Sequence, residues 1–232
     1  SRCGFVAVLG APNVGKSTLV NRLVGSKVSI VTPKVQTTRS RILGIVLYGH
    51  SQLVLIDTPG IFVPRRRLDR AMVAAAWSGA SDADIILLLV DSSKGLDRDT
   101  SEIVKRLKDR QQRAILVLNK IDLVRKPTLL DLTRKLTAAG IFTDTLMISA
   151  QTGDGVGDLL ACLVARLPRG PWLFPEDQIS DMPMRLLAAE ITREKLYLQL
   201  RQELPYAAAV ETERWIEQKD GSTRIDQVIY VL

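Results

Sequence analysis

At 232 residues the chain is long enough for one large domain, or for a large and a small one, and its 46% hydrophobic and 25% charged content is that of a packed globular protein. Apolar runs such as Ile85–Val90, at six residues, are far too short to cross a bilayer, and two cysteines with a single histidine, His50, argue against a disulfide framework or a zinc site. The net charge of +7 is uneven: residues up to Pro168 carry 24 Lys+Arg and 14 Asp+Glu (net +10), whereas from Arg169 onward there are 8 and 11 (net −3), so the first part suits either a polyanionic partner or a solvated basic surface.

The start, "SRCGFVAVLG", has no charged-then-apolar leader pattern and enters a strand directly, and with reduced thiols the expected setting is cytoplasmic. Phe5–Leu9 reads as a strand, a glycine-rich turn follows, and Lys16–Val24 reads as a helix. Ile42–Leu47 and Leu53–Ile56 flank the hairpin turn "YGHSQ". Asp69–Trp77 is helical, and "DIILLLV" is a continuous apolar strand of the kind covered on both faces. Thr100–Arg110 follows as a helix, "AILVLN" as a strand, Thr128–Ala138 as a helix, "TLMIS" as a strand and Val156–Leu167 as a helix. This alternation predicts an α/β fold, a doubly wound and mostly parallel sheet with one antiparallel strand. "LPRGPWLFPEDQ" breaks the pattern with prolines and glycine and reads as a linker. A helix over 181–204, stopped by Pro205, and two strands, Ala208–Gln218 and Arg224–Val231, around "KDGS" predict a second, partial α+β unit. The expected division is 1–167, a linker over 168–182, and 183–232.

"GAPNVGKS", Gly10–Ser17, follows a strand and opens a helix, the context that the GxxxxGK[ST] pattern needs. Its backbone N–H groups, from Asn13, Val14, Gly15 and on to Thr18, can curl around phosphates at a helix N-terminus. Lys16 supplies a point charge for β- and γ-phosphates, and Ser17 a hydroxyl for Mg²⁺. "DTPG", Asp57–Gly60, ends a neighbouring strand: Asp57 can hold Mg²⁺ through water, and Gly60 can bring its N–H to a γ-phosphate. In the upstream "VQTTRSRI", Thr38, or else Thr37, can ligate the metal, and Thr38 is the better placed of the two. "LNKID" comes off a strand end, so that Asp122 can accept from N1–H and the exocyclic amine of guanine, which adenine does not offer. Asn119 can brace the neighbouring loop and Lys120 can lay its stem along the base. "SAQTG", Ser149–Gly153, can present the Ala150 N–H to guanine O6. The site residues so far point to a guanine nucleotide, GTP or GDP, with Mg²⁺. The residue after DxxG is commonly a glutamine that holds the attacking water; here it is Ile61, which can do no such thing.

Taken together, "GAPNVGKSTLVNRL", "VSIVTPKVQTTRSRILGI", "LIDTPGI", "NKIDLV", "SAQTGDGV" and "FPEDQISDMPMRLLAAEITREKLYLQLRQELPYA" resemble the Era GTPases, P-loop G proteins of the translation-factor-related class. The G motifs are shared by many GTPases; the QTTR segment and the PED…REKL…ELPY string are what point to Era. The resemblance implies a GTP-hydrolysing switch that binds the 3′ end of 16S-type small-subunit ribosomal RNA and assists assembly of the 30S subunit. It also implies Lys16, Thr38 and Gly60 as catalytic groups, Ser17, Thr38 and Asp57 as metal ligands, and a potassium ion held with the help of Asn13. A peripheral association with the inner membrane belongs to the same expectation. Era proteins carry an apolar residue at the position of Ile61, so slow intrinsic turnover is expected. The last part would be the start of an RNA-binding KH domain. Its RNA-gripping GxxG loop does not occur after Arg169 and the local charge is acidic, so the chain is read as truncated, with weak RNA binding. The alternative is a GTP-gated switch whose effector is a protein or a membrane surface. "RRRLDR", Arg65–Arg70, reads as a solvated loop, with contact to RNA phosphate in one switch state as the alternative, and Lys105, Arg106, Lys108, Arg110 and Arg113, on one helix and its exit, read as an exposed basic face.

Overall fold

The computed structural model describes residues 1–32, 41–62, 64, 67–199 and 208–231. Its first part is a six-stranded sheet. In chain order the elements are β1 (Arg2–Leu9), α1 (Lys16–Val24), β2 (Ile42–Tyr48), β3 (Ser51–Asp57), α2 (Arg67–Ser81), β4 (Ile85–Asp91), α3 (Arg98–Asp109), β5 (Ala114–Asn119), α4 (Lys126–Thr137), β6 (Phe142–Met147) and α5 (Val156–Arg166). The strand order is β2-β3-β1-β4-β5-β6; β2 runs antiparallel to β3 and every other pairing is parallel. The doubly wound α/β expectation holds.

The apolar runs are continuous because both faces of the sheet are covered. Along β1, Val6 and Val8 pack with Leu19 and Val20 of α1 and Leu159 and Leu163 of α5, while Ala7 and Leu9 face Val73, Ala76 and Trp77 of α2 and Ile103 and Leu107 of α3. Helix ends follow local chemistry. Asp97 caps α3 by accepting from the Thr100 N–H at 2.7 Å, and Pro127 sits in the first turn of α4, where its missing N–H costs nothing. The strand expected at "TLMIS" begins earlier, at Phe142, and ends at Met147, beyond which the chain bends into the Ser149–Gly153 loop.

The proline-rich segment after α5 is not a loose tether. It runs back along the edge of the sheet, where the Ile45 N–H donates to Ile179 O at 2.9 Å, Ser180 Oγ donates to Leu43 O at 2.8 Å and the Leu43 N–H donates to Asp181 Oδ1 at 3.0 Å. Gln52, fully buried in β3, accepts from the Leu173 and Phe174 N–H groups and donates to Phe174 O. This cover satisfies the open hydrogen-bonding edge of β2, which would otherwise invite another strand.

Then come α6 (Met184–Gln199), β7 (Ala208–Glu217) and β8 (Thr223–Val231), the last two forming an antiparallel hairpin. The helix expected over 181–204 starts three residues later, beyond Pro183; residues 200–204 and Pro205 lie outside the described residues. Helix α6 docks on the hairpin through Thr192 Oγ1 donating to Gln227 Oε1 and Thr212 Oγ1 donating to Arg185 O. It also reaches the first part of the chain. Glu194, 3% exposed, forms an ion pair with Lys27 and accepts from the Val31 N–H at 2.9 Å.

Candidate functional site

The site gathers at the carboxyl ends of β1, β3, β4 and β5, where an open α/β sheet places its ligand crevice. The turn between β1 and α1 is held open by glycine. Gly15 adopts φ 102°, and a Cβ there would stand 2.4 Å from Asn119 Nδ2, so no other residue fits without moving the turn. The Leu19 N–H donates to Gly15 O at 2.9 Å, and the N–H groups of the first turn of a helix, here from Lys16 on, face its N-terminal end. Those amides and the helix dipole make a cradle for an anion. Lys16, 7% exposed, closes the loop by donating from Nζ to Gly10 O at 3.2 Å and Ala11 O at 2.9 Å. Burial pushes its ammonium down to about 8, against the pull of Asp57, so it is a charge waiting for an anionic partner.

Asp57 is fully buried at the end of β3. Its Oδ2 accepts from Ser17 Oγ at 2.7 Å and from Ser29 Oγ at 2.5 Å, while Oδ1 has no partner among the described residues. Burial raises the carboxyl above its usual range, with Ser29, Ser17 and Lys16 opposing. An orphaned oxygen beside a serine hydroxyl, at the mouth of an anion cradle, is the donor set a Mg²⁺ ion with its waters would satisfy. Ser29 itself is set by Asn21, whose Oδ1 accepts from the Val28 and Ser29 N–H groups at 2.9 Å each. Thr37 and Thr38 lie outside the described residues.

The DTPG turn lies directly on this loop. Thr58 Oγ1 donates to Val8 O at 2.7 Å, the Ile61 N–H donates to Gly10 O at 3.0 Å, and a Cβ on Gly60 would meet Pro12 at 3.0 Å. Ile61 is 4% exposed and packs with Val73, Ala76 and Trp77. It is a core residue, and its side chain has no part in placing a water.

Asn119 joins three loops. Its Nδ2 donates to Val14 O at 2.8 Å and its Oδ1 accepts from the Ala150 N–H at 2.9 Å. The Ala150 donor expected at guanine O6 is therefore engaged by Asn119 in this structure. Lys120 Nζ donates to Asn13 O at 2.8 Å and to Asp91 Oδ2 at 2.6 Å. Asp91, at the end of β4, is held below the usual carboxylate range: burial alone would raise it, but Lys120 and Ser93 outweigh that. Asp122 stands exposed in a single 3-10 turn over Ile121–Leu123, free to meet a ligand. Ser149 fixes its own loop, its Oγ accepting from the Thr152 N–H at 3.1 Å. Arg22 of α1 clamps the same loop by donating to Ala150 O and Gln151 O.

All the expected residues within the described part thus come together: Asn13 to Thr18, Asp57, Gly60, Asn119, Lys120, Asp122, Ser149 and Ala150. Asn21, Arg22, Ser29 and Asp91 join them without having been expected. Only the aspartate closing "LLLVD" carries a sequence signal, a carboxylate at a strand end.

Comparison with known proteins follows the same lines. A family model described as 50S ribosome-binding GTPase matches residues 5–120. The protein GTPase Era of Brucella melitensis is 61% identical over 231 residues, covering 100% of this chain and 74% of its own length. A crystal structure of Era in complex with MgGDPNP and nucleotides 1506–1542 of 16S ribosomal RNA superposes with a TM-score of 0.93 at 38% identity, covering 99% of this chain and 79% of that one. An Aquifex aeolicus Era variant bound to GDP·AlF4⁻ matches equally, with a TM-score of 0.93 at 38% identity over 100% of this chain and 79% of the other.

Proposed function

The chain belongs to the Era family of GTPases, and from that premise we propose that it is a GTP-driven switch that engages the 3′ end of 16S ribosomal RNA and assists assembly of the 30S subunit. Its reaction is the hydrolysis of GTP to GDP and phosphate. Residues 1–167 form the GTP-binding unit, 168–182 a linker held on the sheet edge, and 183–232 the beginning of a KH-type RNA-binding unit. The observation that carries the reading is the convergence of Lys16, Asp57 and Asn119 on one anion cradle, together with the RNA-bound Era structure that matches this chain over 99% of its length.

In hydrolysis, water attacks the γ-phosphorus and the bond to the β–γ bridging oxygen breaks, so GDP leaves with the charge that develops there. The loop amides from Asn13 to Thr18 bind the β-phosphate. Lys16 exchanges its carbonyl partners for phosphate oxygens and keeps its proton in doing so. Gly60 donates its N–H to the γ-phosphate, and Asp122 reads the N1–H and amine of guanine. Ser17, Thr38 and Asp57 would hold Mg²⁺, which would neutralise charge on the phosphate oxygens. Asn13 would help to hold a potassium ion. No side chain at position 61 orients the water, so turnover of the isolated protein is slow. Co-sedimentation with 30S subunits, with a GTP analogue and with GDP, tests the assembly role: analogue-dependent pelleting is expected, and its absence with both nucleotides would exclude it.

A further inference from the structure

Arginines from two basic runs of the sequence meet in the fold. Arg70 of α2, Arg106 of α3 and Arg110, the residue that ends α3, line one surface cavity of about 530 Å³, with Trp77 in its wall. The Arg106 and Arg110 guanidinium carbons stand 5.2 and 5.0 Å from the centre of the Trp77 ring. Stacking through the guanidinium face leaves the in-plane N–H edges free to donate. Among the described residues, none of the three arginines forms an ion pair. Two like charges one helical turn apart over a single ring repel each other, and an anion between them removes that cost. The Trp77 Nε1–H is buried with no acceptor among the described residues.

We infer that this cavity is a second RNA contact, in which Arg70, Arg106 and Arg110 grip phosphodiester oxygens of the bound RNA; the inference rests on the RNA reading above. Arginine forks match phosphate oxygens in bidentate fashion. A protein partner would need an apolar anchor, yet among the described residues no large exposed apolar side chain borders the cavity, whose exposed lining is the three arginines, Ser78 and Ser81 with the small apolar Pro64 and Ala74. The net +10 of residues 1–168 extends the same field beyond the cavity.

The test is anisotropy titration of the full chain with a labelled RNA of the 16S 3′ end over a salt series. Three proteins are compared: the wild type, the triple Arg70→Gln/Arg106→Gln/Arg110→Gln, and the charge-matched control Lys105→Gln/Lys108→Gln/Lys135→Gln. The triple is expected to bind about tenfold more weakly, with the log–log salt slope smaller by about 2–3, while the control loses about threefold or less. GTP affinity should be unchanged in both; if the triple loses it, Arg110→Gln alone supplies the comparison, with a slope smaller by about 1. Equal losses in triple and control, or none, would overturn the cavity assignment while leaving RNA binding in place. Displacement of RNA by a glutamate decapeptide, dependent on the same arginines, would assign the cavity to an acidic protein instead. A wild type that hydrolyses GTP but binds no RNA would remove the RNA reading itself, and the cavity assignment with it.

Discussion

Lys16 shows how a single side chain carries both binding and pH dependence. Its folded pKa of about 8 lies below the ordinary 10.5. The unfolded chain therefore holds more protons between those values, and this group's contribution to stability rises with pH across that window. Nucleotide binding has the opposite sense, because phosphates need the ammonium: GTP affinity is predicted to fall as pH rises from 7 to 9, with proton uptake on binding measurable by calorimetry in buffers of different ionisation enthalpy. Ile61 sits among core side chains, so Ile61→Ala should cost about 2–4 kcal/mol of stability while single-turnover hydrolysis stays near wild type; loss of hydrolysis in a folded variant would give Ile61 a chemical role after all. Motif residues such as Lys16, Ser17, Asp57 and Asn119 were legible because their spacing is local and their chemistry dictates it. Ser29 and Arg22 were not, since a serine or arginine on a helix or loop reveals its partner only once the chain has folded.

The elements were legible wherever both faces of a strand are buried, as in β4 and β5, whereas α3, read from Thr100, starts two residues earlier, behind its Asp97 cap. The segment from Pro168 to Met182 was less so. Prolines and glycine correctly announce irregular backbone, but not that it would lie against β2 through Ile179 and Ser180. Gln52 holds that arrangement, and Gln52→Ala should leave the Leu173 and Phe174 N–H groups without their acceptor at a cost of about 1–3 kcal/mol. Amide exchange should quicken there first; unchanged protection would show that the cover is held by other contacts. Helix α6 reaches the segment beyond α1 through Glu194. Glu194→Ala removes the acceptor of the Val31 N–H and the partner of Lys27, and should loosen the segment leading to Thr37 and Thr38, raising the proteolytic susceptibility of the GDP form while leaving guanine selectivity intact.

Across the whole molecule, charge and topology point the same way. The sheet brings Lys16, Asp57, Asn119 and Asp122, the residues proposed to meet phosphate, metal and base, to one end, and the basic excess sits in the same part of the chain. The meeting of Arg70 with Arg106 and Arg110 around Trp77 was beyond reach of the sequence, because it depends on the packing of α2 against α3, two helices separated by a strand. What every later step requires is that a loop of main-chain amides and the carboxylate of Asp122 select guanine. Isothermal titration of the full chain with GTP and with ATP in Mg²⁺ measures this directly. Saturable one-to-one binding of GTP with at least a hundredfold weaker binding of ATP is predicted, from the loss of two hydrogen bonds to a carboxylate at roughly 1.5–3 kcal/mol each. Equal affinity for the two nucleotides, or binding of neither, would contradict it.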